Sequence, residues 1–359
     1  MANDTKCFNF SGITTTGLPA VYGFMFLPSI FGNLMSLMTF KRLSRKTSTH
    51  IYLINLAISN VIVSTSMPFQ IVYYSRAEYW PYDSVLCSIV YQGASLLTHC
   101  SMCVSITIFC WVAVSRYATL LRHKERMQAK PKNAYEKIIL GKILKTFRNP
   151  KFALFLCVGV WLFFLCLNIS CFLVNQEVAP DKMCFDKELE IFQQMYKVTS
   201  VIESTCFFIF FLVVLLFYYF FIKHIQNIQA NSCIGEKHLV YRKVKNNVII
   251  IVTILLLCFM PYHLTKYLLV GYDSSHGCPT LSALLEVKNC CLCLAEFRSC
   301  TDPIVYLCLD KTFKKNFLLF YKNCSTDEED SSSTANNQST TTQTATVSGR
   351  ITQSNVLHD

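Results

Sequence analysis

Charged residues are scarce in this sequence. Asp, Glu, Lys and Arg make up 15% of the 359 residues, whereas hydrophobic residues make up 52%. Soluble domains carry about 25% charged residues, so the composition excludes an ordinary soluble protein. The sequence also lacks a Ser/His/Asp set, metal-ligand spacing and a phosphate-binding loop. These absences argue against an enzyme and predict that the protein uses no cofactor and no bound metal.

The chain lacks internal repeats as well. Transporters often contain them, together with broken, charged helices that line a path, so a transporter or channel is the less favoured interpretation. What the sequence does contain is seven apolar blocks, each reaching the ~20 residues that span a bilayer as a helix. The blocks are Leu18–Phe40, Ile51–Tyr73, Ile89–Val114, Phe152–Val174, Val198–Ile222, Val248–Val270 and Leu284–Leu309. The predicted fold is an all-α membrane protein, a seven-transmembrane helix bundle over residues 18–309.

Lysine and arginine accumulate in alternate loops. They are frequent in residues 41–46, 122–151 and 223–245 and rare in the loops between these. The positive-inside rule therefore predicts that the three basic loops are cytoplasmic and that the N-terminus is outside. The first block is not expected to be a cleaved signal peptide, because it is long and its basic cluster follows it. The net charge of +11 mostly reflects this topology, and no nucleic-acid binding is predicted.

The segments outside the blocks have distinct compositions. Residues 1–17 form a short outer segment with glycosylation sequons at Asn3 and Asn9. Residues 310–324 are amphipathic and predict an eighth helix along the inner surface of the membrane, in contact with lipids. Residues 325–359 are rich in Ser, Thr, Asn and Gln. They predict a disordered cytoplasmic tail, because such a composition cannot bury a core.

The sixth block contains a proline followed by polar residues. Pro261 removes a backbone donor and clashes with the carbonyl one turn earlier, so it predicts a kinked helix. Tyr262, His263 and Lys266 follow it, and the last two share one helix face because they are three positions apart. A buried basic face beside a hinge favours a ligand site that is coupled to a moving helix.

Further motifs follow in order along the blocks: Gly32-Asn33, Asn55-Leu56-Ala57, Ser115-Arg116-Tyr117, Phe217-Tyr218-Tyr219 and Asp302-Pro303-Ile304-Val305-Tyr306. This ordered set, over residues 18–324, resembles the rhodopsin-like (class A) G-protein-coupled receptors. The motif Phe259-x-Pro261-Tyr262-His263-x-x-Lys266 resembles their purinergic-type branch. The resemblance implies a multi-pass plasma-membrane receptor that transmits an extracellular signal to a heterotrimeric G protein. Receptor kinases and arrestin would then act on the Ser/Thr-rich tail.

The resemblance also implies a ligand site in the outer half of the bundle. In this family, basic residues at the positions of Lys266 and Lys288 hold phosphate or carboxylate groups. The expected ligand is therefore anionic: a nucleotide, a lysophospholipid or an organic acid. His263 and Tyr262 would line the floor of the site, and His99 would face them. For Lys288 the alternative is that its ammonium simply reaches water.

Glu203 in the fifth block leaves two alternatives open. An acidic residue within a membrane span needs a partner. Glu203 either pairs with Lys266 inside the protein or binds the ammonium group of a zwitterionic ligand such as a lysophospholipid.

The resemblance assigns a further set of residues to G-protein coupling and to the conformational switch: Arg116, Tyr117, Tyr218, Phe259, Pro261, Asp302, Pro303 and Tyr306. Ser115 departs from the acidic residue that usually precedes the family arginine. Because a hydroxyl holds a guanidinium less firmly than a carboxylate does, raised basal activity is expected. A receptor that is active without ligand is therefore the alternative function.

The mid-membrane core departs further from the family. Asn60 stands where the family has the aspartate of a sodium site, and Arg298 stands where it has an asparagine. We expect the Arg298 guanidinium to take the place of the ion and to pair with Asp302, four positions on, or with Glu296. Two hydroxyl residues would complete this polar network: Ser105 and Ser299.

Most of the 19 cysteines lie inside the apolar blocks, where they serve as small apolar residues. Four lie on the oxidising outer side, and four cysteines allow three pairings. The resemblance implies the disulfides Cys87–Cys184 and Cys7–Cys278. Cys324 follows the amphipathic segment and is either palmitoylated or an unmodified thiol.

Overall fold

The computed structural model describes residues 11–76, 79–80, 93–125, 145–176, 185–186, 194–229, 249–250, 252–271, 278–309 and 311–319. Seven long helices account for most of them. They are α1 (Leu18–Lys41), α2 (Ser48–Ser75), α3 (Gly93–Glu125), α4 (Pro150–Gln176), α5 (Gln194–Gln229), α6 (Met260–Val270) and α7 (Cys278–Leu309). Two short strands, β1 (Tyr79–Trp80) and β2 (Phe185–Asp186), pair antiparallel. The predicted all-α, seven-helix fold is confirmed.

Six helical segments are long and apolar enough to cross a membrane, and α7 is the seventh helix of the bundle. Its 32 residues extend about 48 Å at 1.5 Å per residue, which is ample for a bilayer. Unlike the other six, it carries several charged residues in its middle. The bundle buries four of them instead of exposing them to lipid: Lys288, Glu296, Arg298 and Asp302.

The helix ends follow backbone chemistry more closely than they follow the apolar blocks. The helix α2 begins at Ser48, ahead of its apolar block, because a capping box forms there. Thr47 Oγ1 accepts from the His50 backbone N–H, and His50 Nδ1 accepts from the Thr47 N–H. At their inner ends, α3 and α5 continue past their blocks to Glu125 and Gln229. The backbone hydrogen bonds of a helix can continue beyond its apolar segment, because they do not require lipid around them.

The helix α3 occupies the centre of the bundle. Every side chain from Ser101 to Cys110 is buried, and α3 packs against α2, α4 and α5. By contrast, α1 and α4 turn large apolar side chains outward, and Phe155 of α4 is 76% exposed. Such an apolar exterior is what a lipid environment requires, because tails provide no polar partners.

The predicted hinge at Pro261 coincides with a change of helix type. A π-helical turn covers Leu255–Phe259, and α6 begins at Met260, whose N–H bonds to the Leu255 carbonyl. Pro261 then occupies the first turn of α6, where its missing N–H does least harm. Thr265 Oγ1 donates to the Pro261 carbonyl at 2.9 Å. A π turn and a proline, both of which bend helices, thus follow one another directly at the predicted hinge.

A close approach joins α1 to α7. A Cβ added at Gly32 would lie 2.9 Å from Pro303 Cγ, which is shorter than a van der Waals contact allows. Glycine is therefore needed at this point of α1, and the contact places Asn33 beside the inner half of α7. The Asn33 side chain donates to the Ser299 carbonyl at 2.8 Å.

Residues 310–359 form a separate unit. Within it, residues 311–319 are helical, in agreement with the predicted eighth helix. Phe313 is buried, and its ring stacks on that of Phe317 at 5.9 Å. Three lysines of the segment are exposed: Lys311, Lys314 and Lys315.

Several sequence predictions lie outside the described residues. They concern the sequons at Asn3 and Asn9, three of the four outer cysteines (Cys7, Cys87 and Cys184), Cys324 and the tail 325–359. Cys278 is described only as the first residue of α7. The pairing of Trp80 with Phe185 places the residue after Cys184 against the loop between α2 and α3. The disulfide Cys87–Cys184 remains a prediction.

Candidate ligand site and polar core

The half of the bundle that the sequence predicts to face outward contains a buried ion pair between α5 and α6. The Lys266 ammonium contacts the Glu203 carboxylate, and the two residues are 2% and 3% exposed. Of the two alternatives open for Glu203, the structure has the internal pair. The Lys266 ammonium also lies 5.7 Å from the centre of the Tyr262 ring. Glu203 Oε1 has no hydrogen-bond partner among the described residues.

Two aromatic contacts surround this ion pair. The His263 ring stacks on Phe207 of α5, with centroids 4.4 Å apart and planes at 9°, and its Nδ1 lies 3.5 Å from Ser204 Oγ. The Tyr262 hydroxyl lies 3.4 Å from His99 Nδ1 on α3. His99 therefore faces Tyr262, whereas His263 is directed at α5. The Tyr262 and His263 rings also contact each other, with centroids 5.2 Å apart, so the predicted floor residues form one group that reaches both α3 and α5.

Lys288 lies near the outer end of α7, the helix that packs against α6. Its exposed fraction is 4%. The ammonium is thus enclosed by the protein rather than placed in water, which disfavours the alternative that it simply reaches solvent. Two buried lysines therefore occupy the outer parts of two adjacent helices.

The centre of the bundle is organised around Arg298. Its guanidinium donates to the Asp302 carboxylate, one turn along α7, and to Ser105 Oγ on α3 at 3.1 Å. Two rings flank the same guanidinium: Phe109 at 5.5 Å and Phe259 at 5.3 Å from its central carbon. Of the two partners considered for Arg298, the structure has Asp302. The guanidinium is a buried cation between α3, α7 and the π turn that precedes α6.

Asn60 joins three helices beside this ion pair. Its Nδ2 lies 3.0 Å from Asn33 Oδ1, 2.8 Å from Asp302 Oδ2 and 3.2 Å from the Tyr306 hydroxyl. An amide suits this position because it donates to the carboxylate without adding a second buried charge. Asn60 thus links α1, α2 and the Asp302-Pro303 segment of α7.

Hydroxyl groups extend the network on both sides. Ser299 Oγ accepts from Ser29 Oγ at 2.7 Å, and Ser29 lies 2.6 Å from Ser64. Ser105 Oγ lies 2.6 Å from Ser59 Oγ. The sequence pointed to Ser105 and Ser299 but missed the other three serines and Phe109. The sequence does not indicate which serine or phenylalanine of an apolar block belongs to the network, because that depends on the helix it packs against.

The inner end of the bundle is only partly described. Ser115 Oγ lies 3.2 Å from Ser48 Oγ of α2, and the Tyr306 ring packs at 6.0 Å from Phe40. Three switch residues proposed from the sequence lie within α3 and α5, but their side chains are outside the described part of the structure: Arg116, Tyr117 and Tyr218.

Comparisons with known proteins agree with this architecture. The family model described as 7 transmembrane receptor (rhodopsin family) matches residues 32–143 and 135–306. The probable G-protein coupled receptor 82 of Mus musculus is 39% identical over 321 residues, which cover 88% of this chain and 97% of the relative. Its Homo sapiens counterpart is 37% identical over 331 residues, covering 90% and 98%.

A more distant relative gives the same family. The probable G-protein coupled receptor 34 of Pan troglodytes is 22% identical over 320 residues, which cover 87% of this chain and 77% of the relative. The family model spans the bundle from α1 to the Asp302-Pro303 segment of α7. The apolar helices and these relatives together indicate a multi-pass protein of the plasma membrane. The chain belongs to the rhodopsin family of seven-transmembrane receptors.

Proposed function

We propose that this receptor responds to an extracellular anionic ligand and transmits the signal to a heterotrimeric G protein. The observation that supports the ligand class is the burial of Lys266 and Lys288 on the outer parts of α6 and α7. Cations inside membrane spans are costly and usually mark functional sites. A nucleotide, a lysophospholipid and an organic acid each present the phosphate or carboxylate that an ammonium binds.

The ion pair between Lys266 and Glu203 supplies a mechanism. It joins α6 to α5, so an anion that binds Lys266 competes with Glu203 for the same ammonium. The ligand would thereby weaken the contact between the two helices just outside Pro261 and its π turn. A ligand shifts a conformational equilibrium only when it binds one state better than the other. Here the anion would bind better to the state in which the Lys266–Glu203 pair is broken, because Lys266 is then available to it.

The core offers a route from that hinge to the inner side. Phe259 ends the π turn and its ring contacts the Arg298 guanidinium, which is bonded to Asp302. A rotation of the helix at Pro261 would therefore alter the surroundings of α7 directly. The orientation from the positive-inside rule places this inner end in the cytoplasm, where the G protein, receptor kinases and arrestin would act.

The test is a G-protein dissociation panel, run first without ligand and then with nucleotides, lysophospholipids and organic acids. Lys266→Gln and Lys288→Gln are compared with wild type and with Lys197→Gln, a partly exposed lysine at the outer end of α5 as the matched control. Losing one charged hydrogen bond weakens binding by about 1.5–3 kcal/mol, or roughly 10- to 100-fold in potency. A response that both lysine variants leave unchanged would contradict the proposal.

Signalling without ligand is the second candidate function. It is favoured by Ser115, whose hydroxyl contacts Ser48 of α2 at 3.2 Å and supplies no carboxylate to hold the adjacent Arg116. Ser115→Asp is expected to lower ligand-free signalling by restoring a charged partner, with Ser115→Ala as the control that restores none. Equal basal output from Ser115→Asp and wild type would argue against this candidate.

A further inference from the structure

Glu296 of α7 is a buried carboxylate without a cation among the residues that the structure describes. Its exposed fraction is 1%. The two other buried carboxylates in this part of the chain each contact a cation: Glu203 pairs with Lys266, and Asp302 pairs with Arg298. An isolated carboxylate inside a membrane protein is unfavourable and calls for a partner of opposite charge or a proton.

The polar groups next to the Glu296 carboxylate come from two other helices, α1 and α2. The Gln70 amide of α2 lies 3.5 Å from Glu296 Oε1, which is at the limit of a hydrogen bond. The Tyr22 hydroxyl of α1 lies next to the same carboxylate. Within the described chain, neither Tyr22 Oη nor Glu296 Oε2 has a partner in hydrogen-bond geometry. Within the part of the chain that the structure describes, the contacts of the Glu296 carboxylate with α1 and α2 are therefore weak and include no positive charge.

The Tyr22 side chain belongs to an aromatic and apolar cluster. Tyr22 stacks on Tyr74 with centroids 5.8 Å apart, and Tyr73 packs against Tyr74 at 5.3 Å. Met25 and Met67 belong to the same buried cluster. A hard metal ion takes six or more oxygen ligands, which this environment does not offer. An aromatic cluster that adjoins a single carboxylate instead suits an organic ammonium group.

We propose that Glu296, Tyr22 and Gln70 form a second ligand subsite, which takes a primary ammonium group. The inference rests on the proposed function, because Lys288 stands eight positions earlier on the same helix. That separation corresponds to about 12 Å along α7. The receptor would thus select a bipolar ligand, with an anionic group at Lys288 and an ammonium group at Glu296.

The test measures thermal unfolding of the purified full-length receptor with three matched probes: octanoate, octylammonium and 8-aminooctanoate. Octylammonium is expected to raise the unfolding midpoint of wild type and Lys288→Gln by roughly 2–4 °C and to leave that of Glu296→Gln unchanged. Octanoate is expected to stabilise wild type and Glu296→Gln but not Lys288→Gln. The compound with both charges should stabilise wild type most.

Two further arms make the outcome decisive. Tyr22→Phe keeps the ring and removes the hydroxyl, so it should reduce the octylammonium shift even if Glu296→Gln folds poorly. Sodium chloride replaces octylammonium in a parallel series and is expected to give no shift that depends on Glu296. The subsite is disproved if octylammonium leaves wild type unchanged, shifts wild type and Glu296→Gln equally, or is matched by sodium. An octanoate shift of equal size in wild type and Lys288→Gln would instead contradict the anionic site alone.

Discussion

The Arg298 guanidinium carbon lies 5.3 Å from the centre of the Phe259 ring. This contact joins the charged centre of α7 to the π turn that precedes Pro261. The ring of Phe109 lies on the same guanidinium at 5.5 Å, so the cation is held between an α3 ring and a ring of the hinge. A buried cation over aromatic faces is stabilised by about 2 kcal/mol or more.

Phe259→Leu is therefore expected to raise ligand-free signalling, because it removes the aromatic face that holds the hinge against Arg298. A loss of roughly 1–2 kcal/mol corresponds to about a 5- to 30-fold shift of the equilibrium between the states. The measurement is ligand-free G-protein dissociation at matched surface expression. Phe259→Trp keeps an aromatic face and should behave like wild type. If Phe259→Leu and Phe259→Trp gave the same output, the contact would have no part in the switch.

Arg298→Ala is expected to destabilise the receptor by about 3–5 kcal/mol, because it leaves the Asp302 carboxylate buried without its cation. Adding Asp302→Asn should recover much of that loss, since the second change removes the orphaned charge. Thermal unfolding of the two single variants and the double variant forms a double-mutant cycle. Purely additive losses would show that the pair does not act as a unit.

Sodium is expected to have no effect on the wild-type receptor, because the Arg298 guanidinium already neutralises Asp302 in the core. The variant Asn60→Asp with Arg298→Asn removes that cation and supplies a second carboxylate. It should be stabilised by sodium chloride relative to N-methylglucamine chloride in thermal unfolding. If sodium strongly raised the unfolding midpoint of the wild type and left that of the double variant unchanged, the Arg298 guanidinium would not be taking the place of a sodium ion.

Gly32→Ala is expected to destabilise the bundle by about 1–3 kcal/mol, because the new Cβ would lie 2.9 Å from Pro303 Cγ. The matched control is Gly159→Ala in α4, where a Cβ meets nothing within 4 Å. Thermal unfolding of the two variants in the same detergent provides the comparison. Equal unfolding midpoints for the two variants would mean that α1 can move away from α7 at this point without a loss of stability.

The local features of the chain were visible in the sequence. Bilayer thickness imposes a minimum length on each apolar block, which was enough to place seven helices. The Arg298–Asp302 pair was among the predicted alternatives because four positions make one helical turn. The hinge at Pro261 followed from the missing backbone donor, although its π turn did not. The proline specifies that a hydrogen bond is lost, and the neighbouring residues determine how the backbone responds.

Contacts between helices needed the tertiary structure. The sequence left Glu203 free to bind either Lys266 or a ligand, and it gave no reason for His263 to stack on Phe207. It also placed Glu296 among the candidate partners of Arg298, whereas the structure surrounds it with Tyr22 and Gln70. The apolar blocks set a minimum length for each helix, and the basic loops predict which way it runs. Only packing fixes the rotation of each helix and its neighbours, and those two quantities decide which buried charges meet.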